Sequence, residues 1–254
     1  MQTIVLATQK GGSGKSTLAI GLALAAIQAG QTERLIETDS QATLSNWQAR
    51  RLFAEPMVEP VYTAGEIEPK LQSLERSGIT MTIIDTAGGV SAVTTAAIRL
   101  ADLCLIPTRP SVADIEVTAS TLSIVRACKK PFAFVLNQTP IRGQRLSGAA
   151  TTLGEEAALD VSDVSDVLAQ PFIVMRNDHQ DALGAGLSVI EYAPNSKSAD
   201  EIRSLWQWVE TKLQNMAAEK KPALHLPETV PFAAFLHEPA PSPELASRSW
   251  GRID

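Results

Sequence analysis

The chain has 254 residues, of which 44% are hydrophobic, and it carries a formal net charge of −6 at pH 7. It can bury one large core, and it has neither a long apolar span nor a signal-type N-terminus, so we expect a soluble cytoplasmic protein. Its two cysteines, Cys104 and Cys128, lack C-x-x-C spacing, which argues against a disulfide framework, a zinc site or an iron–sulfur cluster. The negative charge excludes a surface coated in DNA-binding residues but leaves room for a local basic patch.

The first predicted unit is a strand, a glycine loop and a helix. The apolar run "TIVLAT" predicts a buried strand, and "KSTLAIGLALAAIQAG" predicts a helix that closes at Gly30. The loop between them, "QKGGSGKST", ends as the phosphate-binding pattern G-x-x-x-x-G-K-[ST] does, with Gly14, Lys15 and Ser16, although Gln9 replaces the opening glycine. In that pattern backbone N–H groups and the lysine bind phosphates, and the hydroxyl binds Mg²⁺. The unit therefore predicts a nucleotide site.

Further along the chain, apolar β-branched runs alternate with helical stretches. Because such continuous runs are typical of strands covered on both faces, they predict a mainly parallel, doubly wound α/β sheet. The predicted strands lie at residues 34–38, 58–64, 81–87, 102–108, 132–138 and 170–175.

The last part of the chain differs from the rest in composition. From about residue 217 to residue 254 it is Pro-rich with scattered charges. This composition predicts a disordered or loosely docked tail that follows a P-loop domain of residues 1–216. Phe232, Phe235 and Trp250 could make this tail a docking peptide for a partner, although most tails of this composition are only tails.

Two acidic residues follow predicted strands, at the edge where doubly wound sheets bind ligands. Asp85 ends "TIIDTAGG", where a carboxylate can hold Mg²⁺ or its water, and Gly88 and Gly89 would let the following loop move; Asp85 could also be a turn former. Asp39 could orient an attacking water near a γ-phosphate, or it could cap the helix predicted at residues 42–51.

Four motifs in order resemble the ParA/MinD family of deviant Walker-A ATPases, and most closely its short ParA partition-type members. They are "KGGSGKS", "ETDSQ", "IIDTAGG" and "PFIVMRNDHQDALGAGLSVIEYAPNSKSADEI", and the resemblance covers about residues 1–213. The chain departs from the family at Glu37, where an Asp is usual, at Ser40, where a Pro is usual, and at Ala87 and Gly88, where prolines are usual.

The resemblance implies an Mg²⁺-dependent ATPase that forms an ATP-dependent homodimer. Lys10 would reach across the dimer to the partner's nucleotide, where its charge would offset the repulsion between two triphosphates; without the resemblance, Lys10 could instead be a solvated loop lysine. Lys10, Lys15 and Asp39 would be catalytic. Phosphate binding would involve Gly11, Gly12, Ser13, Gly14, Lys15, Ser16 and Thr17, adenine binding would involve Asn137, Pro171 and Phe172, and metal binding would involve Ser16, Asp39 and Asp85.

The branch of the family follows from what the two ends of the chain carry. The tail has too many prolines for a MinD-type membrane helix, and a loop that begins at residue 9 leaves no room for a helix-turn-helix extension. The short form implies a nucleoid-associated ATP dimer that binds DNA nonspecifically and releases it when a ParB-like partner or cargo adaptor stimulates hydrolysis. Basic residues that could contact phosphates are Arg142, Arg145, Arg176, Lys197 and Arg203.

Other functions share this loop. A biosynthetic enzyme of the cobyrinate amidase or dethiobiotin synthase type would need a second-substrate pocket or a glutamine-hydrolysing domain, for which no sequence feature was found. A membrane-associated MinD-like ATPase would need the amphipathic helix. A nitrogenase-type reductase would need cluster-bridging cysteines, whereas both cysteines here lie inside predicted regular elements.

Overall fold

The computed structural model describes residues 1–141, 145–157 and 166–220. Their strands form one six-stranded sheet in the order β3-β2-β4-β1-β5-β6, and every paired neighbour is parallel. This architecture confirms the predicted doubly wound α/β fold. The strands are β1 (Gln2–Leu6), β2 (Glu33–Glu37), β3 (Val58–Pro60), β4 (Met81–Asp85), β5 (Leu103–Thr108) and β6 (Phe132–Leu136).

Helices connect the strands and cover both faces of the sheet. They are α1 (Lys15–Gln28), α2 (Thr43–Arg50), α3 (Ala64–Arg76), α4 (Ala92–Leu100), α5 (Val112–Glu116), α6 (Thr118–Ala127), α7 (Arg145–Ala157), α8 (Asp178–Gly184), α9 (Val189–Tyr192) and α10 (Lys197–Lys220). None of these helices is both long and apolar enough to cross a membrane.

Each central strand contributes to two cores. In β1, Ile4 and Leu6 pack into the core beneath α1 and α10, while Val5 packs into the core on the opposite face. Side chains alternate between the faces of a strand, so a strand buried on both faces is apolar at most of its positions. This alternation explains why the sequence of the sheet shows continuous apolar runs.

Helix α1 begins directly after the glycine loop, as predicted. It ends at Gln28, and Gly30 follows at φ 88°, a left-handed conformation that favours glycine after a helix. A Cβ on Gly21 would lie 3.0 Å from Ile202 of α10, so the two helices pack closely. Through this packing the domain core fixes the helix that carries the loop.

Three boundary predictions were wrong. The strand predicted at residues 58–64 ends at Pro60, and α3 begins at Ala64. Residues 170–175 form no strand, because only an isolated bridge between Thr139 and Val174 pairs this segment, and Pro171 has no N–H to offer a sheet. The tail does not begin at residue 217, since α10 continues to Lys220 through residues of high helix propensity. Residues 221–254, which include Phe232, Phe235 and Trp250, lie outside the described residues.

Candidate nucleotide and metal site

The glycine loop is held from the end of β6. Asn137 is buried and its Nδ2 donates a hydrogen bond to the carbonyl oxygen of Ser13 at 2.7 Å, and Gln138 Nε2 donates to that of Gly12 at 2.9 Å. Gly14 has φ 91°, and a Cβ there would lie 2.2 Å from Asn137 Nδ2. Gly14 is therefore required both by its backbone and by this close approach.

Lys15, at the start of α1, extends into the molecule. Its side chain is only 7% exposed, and its ammonium donates to the carbonyl oxygen of Lys10 at 3.5 Å. Burial lowers the pKa of Lys15, and the negative charges of Asp85 and Asp39 act in the opposite direction. An inward-facing lysine at this place can bind phosphate.

Ser16 and Asp85 form a pair suited to a hydrated cation. Ser16 Oγ donates to Asp85 Oδ2 at 2.6 Å, and Oδ1 of the same carboxylate is buried with no hydrogen-bond partner among the described residues. Burial raises the pKa of Asp85 to about 7, despite the Ser16 hydrogen bond and the charge of Lys15. A cation with its water would satisfy the free oxygen.

The oxygen atoms of Ser16 and Asp85 suit a Mg²⁺ ion that is also bound by water and phosphate, and not a metal bound by protein side chains alone. Within the described ranges no group of three or more His, Cys, Asp or Glu side chains could hold a metal. Mg²⁺ characteristically keeps several waters and binds through few protein oxygens together with substrate phosphates. Ser16 and Asp85 match that mode, and Asp39 lies within electrostatic range of Asp85.

Glu37, and not Asp39, accepts hydrogen bonds from the first turn of α2. Its buried carboxylate accepts hydrogen bonds from the backbone N–H of Leu44 at 2.6 Å and of Ser45 at 3.2 Å, and also from the Ser45 hydroxyl. Asp39 instead accepts from the N–H of Gln41 at 3.0 Å inside the preceding loop. The alternative reading of Asp39 as the cap of α2 was therefore wrong, and its carboxylate remains on the loop beside the site.

The side chain of Lys10 contacts a different part of the chain from that of Lys15. Its side chain is 34% exposed, and its Nζ lies 3.1 Å from Asp114 Oδ1. Gly88, in the loop after β4, approaches the backbone of Gly11, since a Cβ there would lie 3.3 Å from its nitrogen. The two lysines of the loop therefore face different surroundings, one enclosed and one at the surface.

A cavity beside Gly14 is the candidate base pocket. The bridge at Thr139 brings residues 173–176 next to Asn137, and α8 closes the far side. The predicted adenine contacts Pro171 and Phe172 are not among its lining residues: Pro171 lines a separate groove, and Phe172 packs against the core on the opposite face. The lining residues are Gly14, Thr17, Leu18, Asn137, Gln138, Ile173, Val174, Met175, Arg176, His179, Gln180 and Leu183.

Arg176 and His179 are polar residues of the pocket that were not predicted to bind the base. His179 Nε2 is buried without a hydrogen-bond partner among the described residues, and burial lowers the pKa of this imidazole. Arg176 forms two hydrogen bonds to Glu201, at 2.7 and 2.8 Å. The quoted "RNDHQ" motif contained both residues, but only the fold places them beside Asn137.

The basic residues predicted to contact DNA differ in position and exposure. Arg176 lines the pocket and is paired with Glu201, and its side chain is 21% exposed. Lys197 is exposed at the start of α10, and Arg203 lies 3.2 Å from Asp200 with its side chain 34% exposed. Arg142 lies outside the described residues, and only the backbone of Arg145 is described.

The fold and the loop together define a P-loop ATPase of the ParA/MinD type. The family model described as VirC1 protein matches residues 1–191, and the chain belongs to this family. VirC1 of Rhizobium radiobacter is 32% identical over 131 residues, which are 49% of this chain and 56% of that protein. The chain thus matches little more than half the length of these relatives.

Other similar proteins share the same class. Maintenance of carboxysome distribution protein A of Halothiobacillus neapolitanus is 25% identical over 212 residues, covering 80% of this chain and 94% of that protein. The structure of apo McdA from Cyanothece has a TM-score of 0.68 at 18% identity and covers 84% of this chain and 99% of that one. Pyrococcus furiosus MinD has a TM-score of 0.63 at 17% identity, covering 83% and 98%. These two structures support the fold.

Proposed function

We propose that the chain is a cytoplasmic, nucleoid-associated ATPase switch that dimerises around ATP, binds DNA nonspecifically and positions a cargo. The observation that carries the proposal is the divergence of the two loop lysines. Lys15 is enclosed beside Asp85, as a phosphate ligand should be, while Lys10 is at the surface and available to a second molecule. Relatives that bear the names ParA and maintenance of carboxysome distribution protein support a role in partition or positioning.

In the proposed reaction the loop binds the phosphates of ATP. The backbone of residues 11–17 and the Lys15 ammonium hold the β- and γ-phosphates. Ser16 and Asp85 would hold Mg²⁺, which would supply charge neutralisation at the phosphate oxygens. Asp39 accepts a hydrogen bond from the attacking water and orients it toward the γ-phosphate. Glu37 fixes the start of α2, which follows this loop, and so limits where Asp39 can move.

Binding of DNA would follow dimerisation. Two copies of a chain with net charge −6 present twice the basic side chains on one surface only when ATP joins them. Lys197 and Arg203 are the candidates for which the structure describes a surface position. Because such contacts go to phosphates, base sequence should matter little. Hydrolysis, stimulated by a partner protein, would then release the DNA.

Binding to two unrelated duplexes with ATP, with ADP and without nucleotide tests this proposal. We expect binding to both duplexes with ATP only. If the dimer makes about four phosphate contacts, two from each subunit, affinity should fall roughly 100-fold between 50 and 200 mM salt. Arg203→Gln should flatten the slope, whereas Arg76→Gln, in the last turn of α3, should not. Equal binding in all three states, or none in any, would contradict the proposal.

The hydrolysis step can be tested in the same assay. Asp39→Ala should still bind ATP but leave the water unoriented, so its complex with DNA should persist while that of the unmodified chain decays as ATP is consumed. ADP release, measured in parallel, should be nearly absent in the variant. Hydrolysis at the unmodified rate would show that Asp39 only shapes its loop.

A further inference from the structure

Lys10 belongs to a compact charged cluster with Arg109 and Asp114. Arg109 directly follows the last residue of β5, the strand next to β1, and Asp114 lies in α5. Asp114 Oδ1 lies 3.1 Å from Lys10 Nζ, and it accepts hydrogen bonds from Arg109 Nε at 3.1 Å and Nη2 at 3.0 Å. Ser111 Oγ donates to the other oxygen of the same carboxylate.

The cluster has an excess of positive charge at the surface. The Asp114 side chain is only 5% exposed, whereas those of Lys10 and Arg109 are 34% and 35% exposed. Burial alone would raise the pKa of Asp114, but hydrogen bonds from Ser111, Lys10 and Arg109 hold it below its ordinary value. One enclosed anion therefore gathers two cations whose outer sides remain open to solvent.

The two cations lie on the opposite side of the sheet from the base pocket. Leu183, which lines the pocket, packs against the core beneath α1, while Ile115 of α5 packs into the core of the other face. Both cations follow the ends of parallel strands, so they share the edge that carries the glycine loop. An anion that meets both of them can approach from outside the subunit.

We propose that Arg109 is a second cation which, together with Lys10, binds the triphosphate of the nucleotide held by a second copy of this chain. This inference rests on the proposed ATP-dependent dimer. Asp114 uses two of the five N–H donors of Arg109, so the remaining donors can reach phosphate oxygens. Two triphosphates brought face to face repel each other strongly, and a cation pair from each subunit offsets that repulsion better than one lysine.

The dimer dissociation constant tests this role. It would be measured by sedimentation equilibrium with Mg²⁺ and a non-hydrolysable ATP analogue. Arg109→Gln should weaken the dimer about ten-fold or more, as expected for loss of a charge-assisted hydrogen bond, and Arg109→Lys should fall between. Arg99→Gln is the matched control, because Arg99 is exposed near the end of α4, and its dimer should be unchanged.

Analogue affinity, measured at concentrations where the chain is monomeric, separates a role in trans from a role in cis. It should be equal in the unmodified chain and Arg109→Gln, and a matching thermal midpoint would show that the variant folds; if it does not fold, Arg109→Lys decides. Unchanged dimerisation, or an equal loss of monomer affinity, would overturn the inference. An unmodified chain that stays monomeric with the analogue would instead overturn the proposed dimer.

Discussion

At the scale of single residues, one buried carboxyl group lies at the amino end of a strand, the end opposite the glycine loop. Glu33 begins β2 with its side chain buried, and neither carboxylate oxygen has a hydrogen-bond partner in the described part of the chain. Burial raises the pKa of Glu33 well above its ordinary value; Arg34 acts against this shift, and Glu55 adds to it. The folded chain therefore holds a proton on Glu33 more tightly than the unfolded chain does.

This difference predicts a pH-dependent stability. Because the pKa is raised on folding, the free energy of unfolding should fall as pH rises above the ordinary glutamate value of about 4.5 and through the folded-state value. Glu33→Gln removes the titration, and each unit of pKa difference corresponds to about 1.4 kcal/mol. Urea unfolding at pH 5 and pH 8 should show a gain of at least ~1 kcal/mol for Glu33→Gln at pH 8, and a smaller difference at pH 5.

The control for that experiment is Glu68→Gln, because Glu68 is exposed in α3. Glu191→Gln would not serve, because Glu191 is paired with Arg51. The Glu68 variant should unfold as the unmodified chain does at both pH values. A Glu33→Gln variant whose advantage is the same at pH 5 and pH 8 would contradict a titration on Glu33.

Glu37 shows what residue patterns alone leave open. The resemblance marked it as a departure from the usual Asp, and only the structure shows what the longer side chain contacts, namely the first turn of α2. The N-cap position itself is Ala42, in a left-handed conformation with no side-chain cap. A carboxylate seven residues before the N–H it accepts from has no local sequence pattern, so this contact could not be predicted.

At the scale of elements, α2 connects the loop of Asp39 to the base pocket. Its last residue, Arg50, donates to the carbonyl oxygen of Leu183 at the end of α8. Trp47 Nε1 donates to the carbonyl oxygen of Leu187 at 3.1 Å. Arg51, the residue after α2, forms two 2.9 Å hydrogen bonds to Glu191, and the Arg51 side chain is only 1% exposed. Both ends of α2 are thus anchored to nucleotide-binding parts.

Arg51→Ala should therefore affect two measurements together. Removing one partner of a buried ion pair typically costs about 3–5 kcal/mol, so the free energy of unfolding should fall by roughly that amount. Since Arg51 also donates to the carbonyl oxygen of Gly186, just after α8, ATP affinity measured by calorimetry should fall as well. Exposed Arg76→Ala is the control, and it should change stability by less than about 0.5 kcal/mol. Arg126→Ala would not serve, because Arg126 makes an interaction of its own. A destabilised variant with full ATP affinity would contradict the connection.

Strands of the sheet could be predicted from their apolar sequence, whereas a segment that pairs with the sheet only briefly could not be told apart from a strand. The six strands could be predicted, because burial on both faces requires continuous apolar runs such as residues 81–85. The same signal in residues 170–175 was misleading, since this segment pairs only at and beyond the end of β6, where Ile173 and Met175 form backbone hydrogen bonds with Leu136 and Thr139. Of the predicted adenine contacts, Asn137 lines the candidate base pocket, whereas Pro171 and Phe172 do not; the residues of α8 reach this pocket through the tertiary fold, which periodicity does not encode.

At the scale of the whole molecule, the carboxyl edge of the sheet gathers the charged groups of the proposed nucleotide site and of the proposed dimer contact. Asp85 ends β4, Glu37 ends β2, the loop with both lysines follows β1, and Arg109 follows β5. Parallel strands make this convergence unavoidable, because all their carboxyl ends lie at one edge. The sequence could predict the loop and Asp85 from local motifs. It could not predict Asp114, whose role depends on a contact across two strands.

The central claim is that ATP joins two copies through Lys10, and the molar mass in solution tests it most directly. Light scattering should give the mass of a monomer without nucleotide and with Mg²⁺–ADP, and of a dimer with Mg²⁺ and a non-hydrolysable ATP analogue. Lys10→Ala should bind the analogue and remain monomeric at the same concentration, because the charge that offsets the partner's triphosphate is gone. A dimer of unchanged strength in Lys10→Ala, or an unmodified chain whose mass ignores the nucleotide, would contradict the account.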